Sequence, residues 1–233
     1  MEAAQLTLES SLDDLNAIVD RYRGNGRVYL IGHSWGAMLA TAYLGREPGK
    51  VNGAVLAEPG FLTNETFELS GVHLGPRWEA GYLWFAATKW FESLHINGPD
   101  KDAAKDYFLG EVAVAANPEY YCGGVMPPQA KLRWRAGATA MTAVVSSAMN
   151  ADGKFSVDFS AGVHNFDRPV LLLASECNTL IGIEQQKRHQ RLFPKSELKV
   201  IPQSGHMMFG EQPDITIQMA RDYLDGLERS KTQ

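Results

Sequence analysis

Hydrophobic and polar positions alternate between two periods along most of the chain. Leu8, Leu12, Leu15, Val19 and Tyr22 recur three or four residues apart and share one face, which predicts an amphipathic helix over residues 7–23, ended by Gly24 and Gly26. Arg27-Val28-Tyr29-Leu30-Ile31 is an apolar, β-branched run of strand type, and Ala37-Met38-Leu39-Ala40-Thr41-Ala42-Tyr43-Leu44 is a good helix former. Pro48-Gly49 turns the chain into a second predicted strand, Gly53-Ala54-Val55-Leu56-Ala57. The same pattern resumes late in the chain. Pro169-Val170-Leu171-Leu172-Leu173-Ala174 reads as a strand, residues 183–193 as a helix stopped by Pro194, and Glu197-Leu198-Lys199-Val200-Ile201 as a further strand. A closing helix is predicted over residues 213–227, with Pro213 in its first turn.

The strands at 27–31, 53–57 and 169–174 are almost wholly apolar, so both of their faces should be covered. That implies an α/β fold: a parallel sheet of about four strands flanked by helices. Residues 76–150 break the pattern. They lack strand alternation, hold Trp78, Trp84, Trp90 and Trp134, and are interrupted at Gly98-Pro99, Asn117-Pro118 and Pro127-Pro128. They read as a helical cap inserted into a core made of residues 1–75 and 151–233. The cap's aromatics either roof an apolar pocket or bury a small core of their own.

Between the first strand and its helix lies Gly32-His33-Ser34-Trp35-Gly36, a G-x-S-x-G turn in a strand–turn–helix context. A serine there must take a strained backbone conformation, and small residues at 32 and 36 let strand and helix approach. The turn lifts the Ser34 hydroxyl above the sheet edge and aims a helix N-terminus at it, which favours developing negative charge. A serine hydroxyl needs a neighbouring base. His206 follows the last strand and so lies at the carboxyl end of the sheet, as Ser34 does. His33 is expected to pack or to orient the turn. His73, His95, His164 and His189 have no metal-type spacing and are expected at the surface or at helix caps.

Composition narrows the chemistry. The 233 residues, 45% of them hydrophobic, suffice for one domain with an insertion. The net charge of −5, with no basic stripe, argues against nucleic acid. Cys122 and Cys177 give no disulfide framework and no metal spacing, so neither metal nor cofactor is expected. No apolar run is long enough to cross a bilayer. The expected location is cytoplasmic, with any targeting segment lying upstream of the present start.

The elbow, the Ala57-Glu58-Pro59-Gly60 turn and Ser204-Gly205-His206-Met207-Met208-Phe209-Gly210-Glu211-Gln212-Pro213 together resemble α/β-hydrolase fold enzymes, nearest to proline iminopeptidase-like serine hydrolases. The resemblance implies Ser34 as nucleophile, His206 as base and the Trp35 N–H as an oxyanion donor, acting on a small amide or ester or a short peptide. The family's acid usually follows the penultimate strand, where this chain has Ser175-Glu176-Cys177-Asn178. Asn178 stands where Asp is expected, and an amide cannot stabilise an imidazolium by charge. Glu58, after the strand beside the elbow strand, is the expected relocated acid. The other roles open to it are recognition of a substrate amine, a pocket-rim position or the plain surface. Glu176 is an alternative acid, and Asn178 a supporting hydrogen-bond partner. Glu79, Glu92, Glu111 and Glu119 of the cap read as solvated helix-face charges.

The family's elbow follows its fifth strand, whereas this chain begins one helix before it. The resemblance therefore implies that four strands are lacking. The elbow strand then becomes an exposed apolar edge open to self-association. The second oxyanion donor, from the loop after the missing third strand, goes too, at a cost on the order of 100- to 1,000-fold in rate. A carboxylesterase and a non-catalytic binding fragment remain the alternatives.

Overall fold

A computed structural model of the chain describes residues 6–72, 77–128, 137–152 and 154–229. His73 and Trp134 lie outside them. Four parallel strands form one sheet in sequence order: β1 (Tyr29–His33), β2 (Gly53–Ala57), β3 (Val170–Ser175) and β4 (Ser196–Ile201). β1 starts two residues later than its apolar run suggests. Val28 belongs to the approach, where its N–H donates to Asn52 Oδ1 and its carbonyl accepts from the Asn52 N–H.

Three helices bracket the early strands: α1 (Leu8–Arg23), α2 (Trp35–Arg46) and α3 (Asn64–Ser70). Thr7 caps α1 by accepting from the Ser10 N–H, and Thr63 caps α3 by accepting from the Thr66 N–H. Sequence periodicity missed α3 because seven residues are too few to show it. The middle of the chain folds as α4 (Ala80–Ser93), α5 (Ala103–Ala116) and α6 (Ala138–Ala148), with 3-10 turns at Pro118–Tyr120 and Cys122–Gly124. The late region supplies α7 (Ile183–Gln190), a single turn α8 (Met208–Glu211) and α9 (Pro213–Arg229). α7 ends short of its predicted reach.

The sheet buries two separate apolar faces, which is why β2 is apolar throughout and β3 is apolar up to its last residue, the buried Ser175. Ala54, Leu56, Val170 and Leu172 point toward α1, α2, Phe159 and Phe166. Val55, Ala57, Leu171 and Leu173 point the other way, toward Met208 and Ala220 of α8 and α9. β1 and β4 are the edges, and Ile31 on β1 is 56% exposed. In the middle region α4 lies against α5 and α5 against α6. There the buried apolar side chains among the described residues are Val112, Ala116, Tyr121, Ala138 and Ala148, while Trp78, Trp84 and Trp90 face solvent. The expectation that these tryptophans bury a core of their own therefore fails for the three that are described. Among the described residues no further layer covers that face of α4.

Candidate active site

β1 and α2 meet at a tight turn around Ser34. Ser34 sits at φ 53°, ψ −121°, a left-handed conformation uncommon for a residue with a side chain. A Cβ on Gly32 would come within 2.5 Å of the Gly36 carbonyl oxygen and 2.7 Å of the Ala37 Cα, so glycine is required there. A Cβ on Gly36 would meet nothing within 4 Å. The close-approach expectation thus holds at 32 and fails at 36, because it is Gly36's backbone that crowds position 32. The turn leaves Ser34 partly exposed. Trp35 opens α2, where first-turn N–H groups have no partner within the helix. Its ring packs edge-on against Phe159.

The structure brings Ser34, His206 and Glu58 into one hydrogen-bonded chain. His206 Nε2 lies 2.9 Å from Ser34 Oγ, and His206 Nδ1 lies 2.9 Å from Glu58 Oε2. A carboxylate only accepts, so Nδ1 carries the ring proton and the Nε2 lone pair faces the serine hydroxyl. Glu58 is fully buried, also at positive φ (43°), at the carboxyl end of β2. Its Oε1 accepts from the Ser175 N–H at 2.7 Å and from the Ser175 hydroxyl, and its Oε2 accepts from Asn178 Nδ2 at 3.0 Å. Burial alone would raise its pKa, but the hydrogen bonds from His206 and Ser175 outweigh burial and hold the carboxyl below its ordinary value. It is therefore an ionised, enclosed carboxylate whose acceptor sites are filled.

This arrangement explains why residue 178 is an amide. Asn178 Oδ1 accepts from the Leu180 and Ile181 N–H groups at 3.0 and 3.1 Å, which turns its Nδ2 toward Glu58. An aspartate there would set a second carboxylate against the first. Asn178 supports Glu58 and not the imidazole. Glu176, the other alternative, is exposed, accepts from the Gln203 N–H at 2.8 Å and does not reach His206.

Two further groups brace the imidazole. His33 Nε2 donates to the His206 carbonyl at 2.7 Å, and the two rings lie 4.8 Å apart. Burial and the nearby His206 lower the His33 pKa to about 4, so this ring is neutral at pH 7. On the other side the Tyr120 ring stacks on His206 at 4.9 Å, and the Tyr120 carbonyl accepts from the His206 N–H at 2.8 Å. Sequence reasoning missed Ser175 and Tyr120. Ser175 stands three residues before Asn178 at the end of a buried strand, a signal that was readable. Tyr120 carries none.

Two expectations need correction. Cys122 and Cys177 form a disulfide across 55 residues, with their Cα atoms 5.0 Å apart. His189 is fully buried on α7 and not at the surface, with Nδ1 facing Gln186 Oε1 at 3.1 Å, and burial lowers its pKa to about 3. Glu79, Glu92 and Glu119 of the middle segment are exposed, as expected, and make surface ion pairs with Arg77 or Lys89. Among the described residues no group of three or more His, Cys, Asp or Glu could hold a metal, and no helix is long and apolar enough to cross a membrane.

Residues 2–219 match a family described as the alpha/beta hydrolase family. No curated protein matches the chain. Several solved structures share its fold. An esterase from Thermogutta terrifontis, determined with malate bound, superposes with a TM-score of 0.61 at 19% identity, over 95% of this chain and 73% of that one. A loop variant of the haloalkane dehalogenase from Bradyrhizobium elkanii gives 0.59 at 15% identity, over 98% and 77%. A ferulic acid-bound protein from Butyrivibrio proteoclasticus gives 0.54 at 14% identity, over 96% and 70%.

Proposed function

Because this chain belongs to the alpha/beta hydrolase family, we propose that it is a serine hydrolase that cleaves a small ester or amide through an acyl-enzyme on Ser34. One observation carries the reading: a partly exposed serine hydroxyl lies 2.9 Å from the unprotonated nitrogen of a histidine whose other nitrogen faces a buried, ionised carboxylate.

Ser34 Oγ attacks the substrate carbonyl carbon as its proton passes to His206 Nε2. Glu58 stabilises the imidazolium so formed, and Ser175 and Asn178 keep that carboxylate in place. The Trp35 N–H, at the head of α2, faces the charge that builds on the carbonyl oxygen. His206 then protonates the departing alcohol or amine. Water, deprotonated by the same nitrogen, releases the acid product. Residues 76–150 act as the cap, and the stack of Tyr120 on His206 supports that role.

Within this class the engagement of Glu58 with His206 supports an ester over a proline iminopeptidase-like substrate. Recognition of a free amine needs an uncommitted carboxylate near Ser34. Glu58 is bound to His206, and Glu79, Glu92 and Glu119 make surface ion pairs with Arg77 or Lys89. The test is labelling with a fluorophosphonate probe, followed by a panel of short acyl esters and aminoacyl amides. The wild type is expected to label, Ser34→Ala not to, and esters to turn over faster. A folded wild type that stays unlabelled would overturn the proposal in favour of a binding domain.

A further inference from the structure

The segment 118–124 crosses from the middle helices to the active site and is fixed there at several points. The Thr179 N–H donates to the Glu119 carbonyl at 3.1 Å. The Tyr120 carbonyl takes the His206 N–H, and the Tyr120 ring lies nearly parallel to the imidazole, at 25°. Gly205 gives the segment its room: a Cβ there would stand 2.3 Å from the Tyr120 carbonyl oxygen and 2.8 Å from the Tyr121 Cα. The covalent fixing point is the bond from Cys122 to Cys177. Cys177 immediately precedes Asn178, which holds Glu58, and its N–H donates to the Ser204 carbonyl, two residues before His206. One tether therefore joins the segment that stacks on the base to the loop that orients the acid.

The other described anchors of that segment are non-covalent: two backbone hydrogen bonds, the buried Tyr121 side chain and the Glu119–Arg77 ion pair. Its two 3-10 turns are three residues each, and Glu119 and Val125 lie at the surface. Short turns of this kind have little stability of their own. His206 needs its ring plane fixed if Nε2 and Nδ1 are to reach Ser34 and Glu58 together, and a 1 Å misplacement of such a group costs on the order of 100-fold in rate.

We propose that Tyr120 is a positioning residue for His206 and that the Cys122–Cys177 bond keeps it in place, so that reduction of this bond slows the chemistry at Ser34. In that step a dithiol gives two electrons and two protons. The S–S bond breaks, Cys122 and Cys177 become thiols, and the dithiol closes to its own disulfide. Both cysteines are partly exposed, which lets a dithiol reach them. Such bonds persist in oxidising compartments and open in reducing ones, so the site responds to its surroundings.

The inference rests on the serine hydrolase reading, and the experiment separates the two. The rate of fluorophosphonate labelling of Ser34 is followed in the oxidised protein, after treatment with a dithiol, and after reoxidation, with circular dichroism recorded in each state. Labelling should slow at least about tenfold on reduction, consistent with a displaced base, and recover on reoxidation, with the circular dichroism unchanged. Cys122→Ser with Cys177→Ser should label slowly with or without the dithiol. Tyr120→Ala should slow labelling and lower kcat with KM held on the best ester of the panel, and Tyr120→Phe, which keeps the ring, should recover most of the rate. Equal labelling of the oxidised and reduced protein, or loss of the fold on reduction, would overturn the inference and leave the hydrolase reading standing. Failure of the oxidised wild type to label at all would instead remove the hydrolase reading beneath it.

Discussion

The centre of the sheet and the middle helices are built from similar side chains put to opposite uses. β2 and β3 bury every residue, with one face against α1 and α2 and the other against α8 and α9. α4 to α6 carry more large apolar groups, yet Trp84 is 74% exposed and the side chains buried there are mostly small. The difference is one of layers. A parallel sheet has helices over both faces, so an apolar residue on either face finds a partner. Helices laid side by side leave an outer face uncovered. The polar groups follow the same division. Glu58 is buried and saturated with hydrogen bonds at the end of β2, whereas Glu79, Glu92 and Glu119 make surface ion pairs of small worth.

The comparison is most directly broken at Glu58. Glu58→Gln should lower kcat on the order of 10,000-fold, as loss of the charge behind a catalytic histidine does, while Asn178→Ala, which removes one donor to that carboxylate, should cost far less. Equal losses in steady-state assays would mean that the acid is not where we put it. Next comes the core: Leu172→Ala, at a fully buried position, should lower the unfolding free energy by about 2–5 kcal/mol in urea titration.

Acid offers a third test. His33 and His189 have pKa values of about 4 and about 3 in the fold against an ordinary 6.5. Both are held neutral, so their contribution to stability is whole above pH 6.5 and is lost as the pH falls toward those lower values. Each adds a slope of up to about 1.4 kcal/mol per pH unit in that window. His189→Gln should flatten the urea midpoint between pH 6.5 and 4, and a slope unchanged by the substitution would contradict the burial of His189. The smallest effect belongs to the outer helices, where Trp84→Ala should move stability by no more than about 0.5 kcal/mol. A larger loss there would show that the face is covered in solution.

Much of the sheet and the site could be read from the chain, for reasons that are local. The turn at Ser34 is written in five consecutive residues, and the ends of β2 and β4 lie beside it because parallel strands finish at a common edge. Strand order placed Glu58 and His206 at that edge, and the resemblance to α/β-hydrolases supplied their roles. The disulfide was not, since Cys122 and Cys177 meet only after segment 118–124 docks on the loop beyond β3. His189 lies in a helix reading Ile-Glu-Gln-Gln-Lys-Arg-His-Gln, too polar to look buried. It is buried because Gln185 and Gln186 satisfy carbonyls at Gly60, Thr66, Pro59 and Ile181, a pairing no spacing rule displays. Tyr120 acts through its main chain and its ring face, and neither leaves a motif.

β1 and β2 are paired with His33 opposite Ala57, so the nucleophile and the acid are the very next residues on neighbouring strands. The Ser34 N–H donates to the Ala57 carbonyl and the Glu58 N–H to the Leu173 carbonyl, which carries the alignment across to β3. Their spacing is thus set like adjacent marks on a ruler, by the ladder between the strands and not by the length of any connection. The chain between α2 and β2 lies at the far end of that ruler. Additions grafted there can lengthen or reshape the protein while the marks stay where they are.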